Sequence, residues 1–146
     1  MILSKQDEFE WKNAITVTRV STNTIDLGAT NRDIAVADDL WLVGQVTTAF
    51  TASGAGTLAC DFIQSANADL SSADTLVPLM AATGKATLIA GYSMFNTRLP
   101  IGKITKRYIG LSWTVATGPM TAGAVMSGFT PNPEAWRSFA RGYVNY

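Results

Sequence analysis

The sequence predicts an all-β domain, a sandwich or jelly roll of about eight short antiparallel strands followed by a short C-terminal helical tail. Three observations predict it. The apolar residues fall in short runs rich in β-branched and aromatic types. Gly, Pro, Asn, Asp and Ser separate those runs at short intervals. The 146 residues leave room for one proper core but hardly for two. Eight strands without long helices bury their apolar faces by packing as two sheets, in preference to an open sheet with exposed edges.

The first strand is expected over residues 14–20, where Ile15, Val17 and Arg19 face one way and Thr16, Thr18 and Val20 the other. A second, 24–27, is closed by Gly28. Residues 28–39 hold Gly28, Asn31, Asp33, Asp38 and Asp39 with little apolar weight and read as a connecting loop. The run 40–46 is apolar on both faces at its start, as a buried strand should be. Residues 50–56 turn the chain with two glycines into the strand 57–64. After a polar loop over 65–74, the run 75–80 is confined to an edge or a bulge by Pro78, which has no N–H for the ladder. Strands at 86–95, 108–115 and 122–129 complete the set, with Pro100-Ile101-Gly102 and Thr117-Gly118-Pro119-Met120 as turns. Trp41 and Trp113, inside strong strand patterns, are expected in the core.

The C-terminus departs from this pattern. Asn132 can cap, Pro133 suits the first helical position and Glu134 the positive helix end. Trp136, Phe139, Ala140 and Tyr143 recur at i, i+3, i+4 and i+7, with Arg137 and Arg141 beside them. The aromatic face either docks on its own domain or anchors a neighbouring subunit through residue types favoured at interfaces. Trp136, Arg137, Phe139, Arg141 and Tyr143 are therefore the candidate interface residues.

Composition excludes several kinds of chemistry. The chain has no histidine and one cysteine, so a Cys/His zinc site, a disulfide framework and histidine-based acid–base catalysis are all out of reach. Cys60, in an apolar strand, reads as a small buried thiol with no histidine to activate it. Eleven bases balance eleven acids, which leaves no basic excess for a phosphate backbone. The balance hides an asymmetry: residues 1–74 hold ten acids and four bases, residues 75–146 one acid and seven bases. Either the two halves interleave and the charges mix, or the molecule is polar and attracts copies of itself or a mixed-charge partner.

No motif rescues an enzymatic reading. Gly54-Ala55-Gly56 lacks the downstream glycine and the strand-to-helix setting of a dinucleotide site and reads as a hairpin turn. Thr83-Gly84-Lys85 lacks the rest of a phosphate loop. The acids Asp33, Asp38 and Asp39, or Asp69 and Asp74, lack calcium-loop spacing and read as solvated loop acids. Catalysis by a carboxylate pair that includes Asp61 needs a second acid in a cleft. The start of the chain lacks the basic and apolar regions of a secretory signal, and no apolar stretch approaches the roughly 18 to 20 residues that span a bilayer. No cofactor, nucleic acid or membrane partner is expected.

Met1-Ile2-Leu3, Ala14-Ile15-Thr16, the stretch 21–28 (STNTIDLG) and the stretch 114–123 (TVATGPMTAG) resemble the capsid cement, or decoration, proteins of tailed phages typified by the Bbp16 family. The resemblance spans roughly residues 1–129. It implies a jelly-roll domain over 1–129, including the N-terminal arm; the C-terminal aromatic tail, 130–146, lies beyond the resemblance. It further implies homotrimers on the outer surface of an icosahedral head, with the major capsid protein as partner and no active site. The alternative is a jelly roll of a phage particle that binds glycans or a receptor, with Trp and Tyr stacking on sugar faces.

Overall fold

The computed structural model describes residues 5–29, 40–99 and 102–131. Nine strands are found among them: β1 (Glu8–Ala14), β2 (Arg19–Val20), β3 (Ile25–Asp26), β4 (Trp41–Ala52), β5 (Thr57–Ser65), β6 (Asp74–Gly84), β7 (Ser93–Arg98), β8 (Tyr108–Ala116) and β9 (Met120–Thr130). All pairings are antiparallel, and they build two sheets. One has the order β1-β9-β4-β7. The other has β2-β8-β5-β6, with β3 also on β8. The all-β expectation holds as a two-sheet sandwich, and no helix occurs among the described residues. The helical tail expected after residue 130, with its five candidate interface residues, lies outside them.

Several expected elements shift. The strand predicted over 14–20 is broken, because residues 15–18 carry the chain from the edge of one sheet to the edge of the other. The strand lies earlier, over Glu8–Ala14, where Phe9 is buried and a bulge leaves Trp11 exposed. The strand predicted over 86–95 starts only at Ser93, after 85–92 turns along β4 through bonds such as Leu88 O to Phe50 N at 2.9 Å. Of the turn expected over 50–56 only 53–56 turns, because β4 continues to Ala52, and it is not a hairpin, since β4 and β5 lie in different sheets. Pro78 does sit on an edge strand, β6, opposite Asp61.

The core lies between the sheets. Phe9 and Phe129 from one sheet meet Phe62 from the other, edge to face, with ring centroids 5.2 to 6.4 Å apart. Each such contact contributes about 0.5 to 1.5 kcal/mol beyond area burial. Trp113 is fully buried beside Phe95. Trp41 is not a core residue: it is half-buried, because its neighbour Leu42 takes the inward position and strand residues alternate. Two glycines are obligatory for packing. A Cβ on Gly44 would stand 2.4 Å from the Phe95 ring, and one on Gly123, at φ +138°, only 2.2 Å from Phe50.

Candidate interaction surface

The two sheets are tied at their open edge by a buried carboxylate. Glu10, fully buried on β1, accepts from Arg19 Nη1 at 2.8 Å, Arg19 Nη2 at 3.2 Å, Asn13 Nδ2 at 2.7 Å, and the Thr22 amide and hydroxyl at 3.0 and 2.9 Å. A bulge in β1 makes this possible: the register slips between Glu8 and Glu10 and again between Trp11 and Asn13, turning both Glu10 and Asn13 toward β2. Lys12 at that slip has φ +55°, and its ammonium lies 5.7 Å from the Trp11 ring. Sequence reasoning missed the whole cluster, because Arg19 and Thr22 reach Glu10 only once the chain has crossed from one sheet to the other.

Register divides the surface into two unlike ends. At the end where Ser65 faces Tyr108 and Trp41 faces Thr130 stand Lys5, Asp7, Glu8, Asp26, Asp69, Asp74, Arg98, Lys103, Lys106 and Arg107. Arg107 grips Asp26 through two bonds, 2.7 and 2.8 Å, and lies over the Tyr108 ring; Lys106 pairs with Asp74. The Arg107 guanidinium, helped by the Gly28 amide, holds the Asp26 carboxyl down to about 2. Both ion pairs join an acid of the first half of the chain to a base of the second, so the halves interleave. Between residues 5–8 and 22–26 the same end opens a polar groove of about 550 Å³.

The opposite end is built from turns at 15–18, 53–56, 84–87 and 117–119. Among these turns the one charge is Lys85, which donates to the Ala52 carbonyl at 2.8 Å. Val17, 60% exposed, borders a shallow hollow of about 260 Å³ with Thr18, Ala116 and Pro119. Trp11, Val17 and Val20, three of the large apolar residues that are exposed, all belong to the chain crossing from β1 to β2.

The other residues singled out from sequence are placed as follows. Cys60 faces the core opposite Trp113, and burial pushes its thiol well above its ordinary range. Asp61 sits in register with Ser112 and Pro78 and is half-buried. Asp69 accepts from the Ser71 amide and Asp74 is paired with Lys106, which gives both loop acids structural partners. No group of three or more metal-ligating side chains occurs among the described residues. Asp33, Asp38 and Asp39 lie outside them.

No curated protein matches the chain. The model of the Bbp16 family matches residues 9–129, which runs from the start of the β1 core to the end of β9. Since that span includes every described strand apart from the first residue of β1 and the last of β9, the chain belongs to the Bbp16 family.

Proposed function

We propose that this chain is a capsid cement protein. It binds the outside of an icosahedral phage head as a homotrimer of jelly-roll domains and stabilises the lattice of the major capsid protein. Family membership carries the reading, through the resemblance of residues 21–28 and 114–123 to cement proteins of that family. The composition supports it as well: a chain without histidine has little to offer as an acid–base catalyst. Physically, a trimer touching several shell subunits gains avidity, since each contact formed raises the effective concentration of the next.

The test is solution mass by light scattering, followed by mixing with emptied heads. A stable trimer that pellets with heads is the expected result. A monomer that stays in the supernatant overturns the proposal, and binding on a glycan array then favours the receptor-binding alternative. Where the tail anchors a neighbour in preference to docking on its own domain, Trp136→Ala is expected to weaken trimerisation or attachment by about 2 kcal/mol or more. Unchanged mass together with unchanged head occupancy removes Trp136 from the interface.

A further inference from the structure

We infer that the charged end of the sandwich seats on the shell, against a subunit surface bearing charges of both signs, and that the neutral end faces away. This rests on the cement reading and adds the orientation of the domain to it.

Two features of the charged end carry the inference. The first is that acids and bases are mixed there, with Asp7, Asp26, Lys103 and Arg107 all exposed, while the turns at the other end carry Lys85 alone among the described residues. Mixed charge steers encounter and fixes register against a complementary surface. The turns of the other end, built from Thr, Ser, Gly, Ala, Val, Ile and Pro with Lys85 as their one charge, supply neither.

The second is that this surface is held rigid. Buried Gln64 accepts from the Thr105 and Lys106 amides at 2.9 and 3.2 Å, which fixes the segment that presents Lys103, Lys106 and Arg107. The neighbouring loop closes on itself through Ser65 Oγ to the Ser71 carbonyl at 2.6 Å and the Leu70 amide to the Asn67 carbonyl at 3.1 Å. Its Leu70 side chain packs so close to Gly110 that a Cβ there would lie 2.4 Å away. Groups already ordered lose little freedom on docking.

The experiment uses the full chain with emptied heads. Lys103→Glu combined with Asp7→Lys is expected to lower attachment at least about tenfold, and attachment of the parent is expected to weaken as salt rises. Val17→Glu combined with Ala116→Glu is expected to change attachment by less than about twofold, because exposed charge at a face that touches nothing is tolerated. Thermal midpoint and solution mass are read for every variant, and Lys103→Ala replaces the reversal if that disturbs the fold. Loss of attachment in the neutral-end pair with retention in the charged-end pair overturns the orientation while leaving the cement reading intact. An altered solution mass in the charged-end pair, with head occupancy unchanged, also overturns it, by making this face a contact between copies. If the parent itself does not pellet with heads, the cement reading fails, and the orientation fails with it.

Discussion

Two carboxylates in this chain do opposite jobs. Glu10 is fully buried and satisfied by five hydrogen bonds from Arg19, Asn13 and Thr22. Removing the carboxylate takes the charge partner from Arg19, which keeps only the Ala14 and Val20 carbonyls and the Thr22 hydroxyl, and takes the acceptor from the Thr22 amide. Glu10→Ala is therefore expected to destabilise the domain by about 3 kcal/mol, read as a lower urea midpoint with the slope unchanged. A midpoint equal to the parent's would show that the knot contributes nothing net. Asp26 lies at the surface and acts through pH. Its folded-state carboxyl is lowered from 3.8 to about 2, first by Arg107 and then by the Gly28 amide. A depressed acid binds protons more readily once unfolded, so its contribution is complete above the ordinary value and disappears as pH falls from 3.8 toward 2. Arg107→Ala should move the Asp26 titration back toward 3.8, seen by carboxyl NMR, and should flatten the fall of stability across that acid window. An Asp26 titration that stays near 2 in the variant assigns the depression to the Gly28 amide instead.

At the level of elements, the sequence shows where strands are and conceals which of them pair. The runs that became β4, β5, β8 and β9 could be read from β-branched and aromatic residues, and Pro78 marked an edge correctly, because those signals are local. The turn at Gly54 could also be read. Its crossing from one sheet to the other could not, because turn residues report backbone geometry and are silent about the partner strand. The Glu10 knot was hidden for the same reason: Arg19 and Thr22 meet Glu10 across the gap between sheets. The aromatic stripe read at helical spacing in the tail lies outside the described residues. The β6 edge yields a prediction of its own. This strand runs eleven residues without a charge between Asp74 and Lys85, and such an edge invites pairing with another chain. Pro78 interrupts its row of donors. Pro78→Thr should restore a continuous edge and raise concentration-dependent association, measured by light scattering against the parent. A variant whose mass does not rise with concentration would show that the bulges at Cys60 and Ile63 already protect the edge.

For the whole molecule, the topology matters more than any single contact. Apart from β5 with β6, and β2 with β3 end to end along β8, successive strands alternate between the two sheets, so almost every ladder joins distant parts of the chain. Such a domain deforms as one body, because bending either sheet disturbs pairings made by both halves of the sequence. A rigid body of this kind suits a role in which geometry decides binding. In the proposed trimer each domain offers its seat at a fixed separation from the others, and the gain from multiple contacts depends on the shell presenting matching sites at that separation. On the proposed reading, a lattice that has not yet expanded would place those sites wrongly, and a stiff domain would not stretch to meet them. Avidity is then lost, and attachment falls to that of a single weak contact. Binding to expanded, mature shells is accordingly expected to exceed binding to immature shells by at least about a hundredfold, the lower range of what linked contacts provide. Parallel pelleting of the chain with the two shell forms at equal subunit concentration measures the ratio, and equal binding to both would mean that one contact per domain suffices and geometry plays no part.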